Sequence, residues 1–206
     1  QAGVREASRS FAALVVGNEA PNFSAGANLM LVLLEAQEAN WEEIDLMIRA
    51  FQQTTMALRY ADVPVIVAPA GLALGGGCEI ALHGDRAQAA AETYMGLVEV
   101  GVGLIPAAGG TKEMVARAIE EMPPGTSDSL PAVQRVFETI AFAKVSTSAA
   151  DAQRLGYLRP VDAVTMNRER LLADAKARAL QRVSEGYHPP PLRDASATPA
   201  AADSRP

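Results

Sequence analysis

The sequence predicts an α/β fold, and three features carry the prediction. Pro64 opens a continuous apolar run, Val65-Ile66-Val67-Ala68, of the kind that forms a strand covered on both faces. Before it, Ile44, Met47, Ile48, Phe51 and Leu58 recur at the spacing of one buried helix face. After it, short apolar stretches and glycine-rich turns alternate with helical patterns, ending in a long segment over 167–185.

The elements follow in order. Residues 3–10 read as the end of a helix, and Phe11 to Val16 as a short strand closed by the turn-rich stretch from Gly17 to Asn22. Phe23 to Asn28 is a loop of small residues, and Leu29 to Glu38 is helical or irregular. Asn40 suits an N-cap and Glu43 completes a capping box, so the amphipathic helix should run from there to about Tyr60. The glycine triplet 75–77 leads into a short helix over Glu79 to His83, and Arg86 to Ala91 forms another strand. Gly109-Gly110-Thr111 starts a helix from about Lys112 to Glu121, which Pro123-Pro124-Gly125 ends. Further helices are expected over Pro131 to Ala143, after a Ser148/Asp151 cap, and over Asn167 to Glu185. No internal repeat is apparent. From His188 onward the chain is Pro, Ala, Ser and Asp without apolar periodicity, so a single domain over 1–187 should be followed by a disordered tail over 188–206.

Composition narrows the function classes. A chain of 206 residues can bury one good core, and with aromatics at 5% that core should be aliphatic. The net charge of -6 argues against a general nucleic-acid binder, but not against an anionic small ligand held by local cations and helix N-termini. The single cysteine, Cys78, excludes an internal disulfide and favours a reducing, cytoplasmic compartment. No stretch is long and apolar enough to span a bilayer, and no basic-then-apolar leader opens the chain. Opening on Gln1 and running at once into a helical pattern, it reads as a piece of a longer polypeptide.

Two glutamates twenty positions apart carry the functional signal. Glu79 lies in Gly75-Gly76-Gly77-Cys78-Glu79, and Glu99 in Gly96-Leu97-Val98-Glu99-Val100-Gly101. Alone, Glu79 reads as a helix-dipole carboxylate and Glu99 as a solvated loop residue. Together, each among apolar neighbours beside a glycine-rich turn, they suggest an acid/base pair facing a pocket. The turn at 75–77 suits either an oxyanion hole, since glycines leave backbone N–H groups accessible, or tight packing. Cys78 reads as a small core residue rather than a nucleophile, and Glu79 with His83 lacks a third metal ligand. The glycines at 101, 103, 109 and 110 do not match a dinucleotide loop, and Pro106 interrupts them.

Four linked motifs identify a family. Phe23-Ser24-Ala25-Gly26-Ala27-Asn28-Leu29, Ala73-Leu74-Gly75-Gly76-Gly77-Cys78-Glu79, Gly96-Leu97-Val98-Glu99 and Gly103-Leu104-Ile105-Pro106-Ala107-Ala108-Gly109-Gly110-Thr111 resemble the crotonase (enoyl-CoA hydratase/isomerase) superfamily in order and spacing over about residues 10–186. The segments 29–40 and 145–191 are most similar to the hydratase region of fused bacterial 3-hydroxyacyl-CoA dehydrogenases.

The resemblance implies a spiral of ββα units with C-terminal helices, usually packed as trimers or dimers of trimers. It implies an oxyanion hole from the backbone N–H groups of Ala27 and Gly76, and a water held between Glu79 as base and Glu99 as acid. Backbone at Ala25 and Gly26 would meet coenzyme A, which enters as part of the substrate, so no separate cofactor is implied. Lys176 and Arg170 are candidate phosphate-binding cations. Both glutamates together imply hydration of a 2-enoyl-CoA in β-oxidation. Δ3–Δ2 isomerisation and a non-catalytic acyl-CoA-binding or assembly module are the alternatives, and no Ser/His/Asp set suggests the protease branch of the fold. A fused dehydrogenase domain is the implied partner, with no nucleic acid or membrane. Asn28 departs from the Asp of many members and Val98 from a common Pro. The two front strands usual in the family are expected to be missing.

Overall fold

The computed structural model describes residues 1–192, so residues 193–206 of the expected tail lie outside it. Helix α1 (Ala2–Ser10) leads into strand β1 (Leu14–Gly17), and α2 (Leu29–Gln37) and α3 (Trp41–Arg59) form a helical hairpin. Two consecutive units follow. The first is β2 (Val65–Ala68), β3 (Gly71–Leu74) and α4 (Gly76–Leu82). The second is β4 (Arg86–Ala90), β5 (Thr93–Gly96), a 3-10 turn at Glu99–Val102, and α5 (Gly110–Glu120). Helices α6 (Leu130–Ala141) and α7 (Ala149–Arg154), strand β6 (Ala163–Thr165) and helix α8 (Leu171–Ser184) complete the described chain.

Each unit sends its first strand to one sheet and its second to another. The four-stranded sheet runs β1-β2-β4-β6 and the two-stranded sheet β3-β5, with parallel pairing throughout. This is a structural repeat with no sequence repeat to announce it: what recurs is a path, filled with different residues. The two-stranded sheet matters most for the site. Its register sets Leu74 beside Gly96, so whatever follows β3 lies next to whatever follows β5.

Strand β2 explains the apolar run that predicted it. Val65 and Val67 face a core with Leu82, Met95, Leu97, Met114 and Tyr157. Ile66 and Ala68 point the other way, into a second cluster under α8 with Leu171, Ala175 and Ala179. Both faces are covered, and all four residues are buried. The core is aliphatic and alanine-rich, as the composition implies.

Helix α3 corrects two expectations. Of the predicted stripe only Leu58 is buried; the other buried residue of the helix, Thr55, was not part of it. Ile44, Ile48 and Phe51 are half-buried and Met47 is exposed, and α3 packs on α2 as well as on α4. Asn40 occupies the cap position, but its amide donates to the Glu35 and Glu38 carboxylates instead of capping the helix. Ser148 does cap α7, accepting from the Asp151 N–H at 3.1 Å. Strands β3, β5 and β6 were not predicted. Among the described residues, no helix is long and apolar enough to cross a membrane.

Candidate active site

Three chain segments end at one edge of the molecule. Ser24 bridges Ala73, with Ser24 N–H donating to Leu72 O and Leu74 N–H to Ser24 O, so residues 23–24 flank β3 on the side away from β5. The segments after Ser24, Leu74 and Gly96 therefore leave side by side from the carboxyl ends of parallel strands, where ligands of α/β sheets collect. Glu79 and Glu99 are neighbours for this reason, and their spacing of twenty is close to one unit of the repeat.

Gly75 is the hinge of this arrangement. Its backbone angles of φ 53° and ψ -124° are open to glycine, and its N–H donates to Gly96 O at 2.8 Å. A Cβ there would stand 3.1 Å from Glu99 Oε1 and 3.9 Å from Gly26 Cα. The turn thus touches both the loop carrying Ala25, Gly26 and Ala27 and the second carboxylate. Gly76 is the first residue of α4, so its N–H has no carbonyl within the helix to bond. Phe51 of α3 packs on it so closely that a Cβ would lie 2.6 Å from Cε1.

Glu79 is almost fully enclosed, at 2% exposure. Its Oε1 accepts from Ala108 N–H at 2.9 Å and Gly110 N–H at 2.8 Å, which leaves Oε2 for another partner. Burial pushes its carboxyl up to about 7, with the Glu99 charge adding to the rise and the two N–H donors opposing it. Glu99 is half-buried and also raised, by burial. Its Oε2 is buried with no hydrogen-bond partner among the described residues, so it is open to a bound group. Two neighbouring carboxyls, both raised in proton affinity by burial, can exchange protons with a group between them.

Other groups resolve into support. His83 is buried, its Nδ1 meets Glu79 O at 2.7 Å, and burial lowers it to about 4, so it is neutral. Cys78 is fully buried, and burial together with Glu99 and Glu79 holds its thiol up, away from the thiolate a nucleophile needs. Below the site Glu113 lies 3.5 Å from Arg59, 3.7 Å from Lys112 and 3.9 Å from Arg117. Arg170 pairs with Asp174, and Lys176 is exposed on α8, which packs against β1, β2 and β4 rather than the β3-β5 edge. Sequence reasoning did not single out Ala108 and Gly110 as donors. The available signal was Gly110 itself: a Cβ there would come within 2.9 Å of Glu79 Cγ and of Leu97 Cδ2.

The family model described as enoyl-CoA hydratase/isomerase matches residues 4–124. The chain belongs to the enoyl-CoA hydratase/isomerase family. It is 46% identical over 188 residues to a probable 3-hydroxyacyl-CoA dehydrogenase of Bacillus subtilis (strain 168), covering 91% of this chain and 23% of that protein. It is 37% identical over 154 residues to a putative fatty acid oxidation complex trifunctional enzyme of Rickettsia felis, covering 75% of this chain and 20% of that protein. Against the mitochondrial enoyl-CoA hydratase domain-containing protein 2 of Bos taurus, identity is 33% over 163 residues, 77% of this chain and 47% of the other. The chain thus spans less than half the length of each of these three relatives.

Solved structures agree on the fold of this family member. An enoyl-CoA hydratase from Polaromonas sp. JS666 superposes with a TM-score of 0.71 at 24% identity, covering 89% of this chain and 65% of that one. One described as a putative enoyl-CoA hydratase from Streptomyces coelicolor A3(2) gives 0.72 at 21%, covering 90% and 62%. The α/β fold is therefore crotonase-like, and the two ββα units described above are turns of its spiral.

Proposed function

We propose that this chain is the enoyl-CoA hydratase module of a multifunctional 3-hydroxyacyl-CoA dehydrogenase. It would add water to a 2-trans-enoyl-CoA to give the 3-hydroxyacyl-CoA of fatty-acid β-oxidation. One observation carries the reading: two carboxyls of raised proton affinity meet at the β3-β5 edge, one anchored by two N–H donors and the other with an unpartnered buried oxygen. Two carboxyls favour hydration, since one can take a proton from water while the other delivers a proton to C2.

The thioester carbonyl accepts hydrogen bonds from Ala27 and Gly76 N–H, which stabilise its enolate-like oxygen; losing one such donor costs about 10²- to 10³-fold. Glu79 takes a proton from water as the oxygen bonds to C3. Glu99 gives its own proton to C2, and the proton then passes from Glu79 to Glu99 to restore the pair. Ala25 and Gly26 meet coenzyme A, which belongs to the substrate. The B. subtilis relative's name is the support for a fused dehydrogenase partner. Assembly as trimers or hexamers and a cytoplasmic location complete the proposal.

The test is crotonyl-CoA turnover in ¹⁸O-water. The expected product is 3-hydroxybutyryl-CoA with ¹⁸O at C3 and, in D₂O, one deuterium at C2. Conversion of a 3-enoyl-CoA to its conjugated isomer with no hydroxylated product identifies an isomerase. A folded protein that binds acyl-CoA without turnover identifies a binding module.

A further inference from the structure

Glu79 is held through a stretch of backbone, and that backbone is itself held by two side chains of α3. Ala108 N–H donates to Glu79 Oε1, while the carbonyl of the same peptide unit, Ala107 O, accepts from Gln52 Nε2 at 2.7 Å. The next carbonyl, Ala108 O, accepts from Thr55 Oγ1 at 2.8 Å. The one after it, Gly109 O, accepts from Glu113 N–H at 2.9 Å, and the same peptide unit's N–H, on Gly110, returns to Glu79. Three successive peptides are thus clamped on one side, and two of them aim N–H groups at one carboxylate oxygen from the other.

Gln52 and Thr55 are three apart and share a helix face with Ile48 and Phe51. A purely packing helix would carry an apolar residue at the buried position 55. Thr55 is fully buried, and its hydroxyl also lies 2.9 Å from Gln52 O, a carbonyl inside the helix. Ala108 O is the loop acceptor it reaches.

We propose that Gln52 and Thr55 are positioning residues for Glu79, fixing its orientation and proton affinity through the Ala107–Gly110 peptides. Gln52 polarises the Ala107 carbonyl, which makes the Ala108 N–H a stronger donor to the carboxylate. Thr55 fixes the plane of the following peptide. The charged and titratable groups around Glu79 are Glu99 after β5, Cys78 and His83 on α4, Lys112, Glu113 and Arg117 on α5, and Arg59 on α3. Gln52→Leu changes none of them.

The inference rests on Glu79 being part of the working site, so its test includes a reading independent of turnover. Carboxyl ¹³C NMR of the substrate-free protein follows the Glu79 midpoint, assigned by its loss in Glu79→Gln. In Gln52→Leu and Thr55→Val the midpoint should rise by about half a pH unit, as expected when a polarised donor is weakened. The acid limb of kcat/KM should move with it, kcat should fall about tenfold and KM should stay within about twofold. Gln52→Met, which matches the side chain's length but carries no N–H donor or charge, should raise the midpoint as Gln52→Leu does, whereas under a purely structural role the refilled length would restore it. An unchanged midpoint in Gln52→Leu overturns the proposal. Gln52 is exposed, so that variant decides even if Thr55→Val fails to fold. A shifted midpoint in a protein that hydrates nothing would instead sink the hydratase reading and leave this one standing.

Discussion

Replacing Glu79 by Gln keeps the side chain's shape and its acceptor oxygen for Ala108 and Gly110, but removes its titration. In the folded protein the carboxyl is raised from 4.5 to about 7. Between those values the folded state holds more protons than the unfolded chain, so its stability falls as pH rises. The loss is complete above the folded value. A shift from 4.5 to about 7 corresponds to about 3 kcal/mol. Glu79→Gln escapes that loss. It should match the wild type near pH 4.5 apart from a constant offset, and gain on it by up to about 1.4 kcal/mol per pH unit until about pH 7. The offset, about 1 kcal/mol for a newly buried amide N–H₂, is independent of pH and does not disturb the slope. Urea unfolding at several pH values from 5 to 8 measures the difference. Parallel stability profiles for the two proteins would refute the raised carboxyl.

Two further substitutions probe the frame of the site. Gly110→Ala places a methyl 2.9 Å from Glu79 Cγ and Leu97 Cδ2, so kcat for hydration should fall about 100-fold while the circular dichroism spectrum is retained; full activity would show that Glu79 has no fixed working position. Glu113→Gln strips countercharge from buried Arg117, and unfolding free energy at neutral pH should drop by about 3 kcal/mol. A change of less than about 0.5 kcal/mol would mean the cluster is already balanced by other groups.

How much of this was legible in the sequence depends on which atoms do the work. Strand β2 and helices α3, α5, α6 and α8 announce themselves because burial acts on side chains, and side-chain patterns are what a sequence shows. Strands β3 and β5 do not. Gly71-Leu72-Ala73-Leu74 and Thr93-Tyr94-Met95-Gly96 are short and without clear alternation, and their partner is each other, about twenty residues away. Yet this pairing brings Glu79 to Glu99. The pair was visible as two carboxylates beside glycine turns; its spacing gained meaning once it matched one unit of the spiral. The donors to Glu79 are backbone N–H groups, which leave only a negative trace, the glycine that makes room for them. Thr55 left a positive one, a polar residue at a buried position of α3, with exposed Gln52 three residues before it.

The central claim is that Glu79 and Glu99 act as one unit on a water molecule. The most direct test is kcat/KM for crotonyl-CoA hydration in the wild type, Glu79→Gln, Glu99→Gln and the double variant. Each single substitution should cost about 10³-fold or more, and the double should cost little beyond the worse single, as groups acting as a unit behave. Wild-type turnover in either single variant, or fully additive losses in the double, would contradict the account.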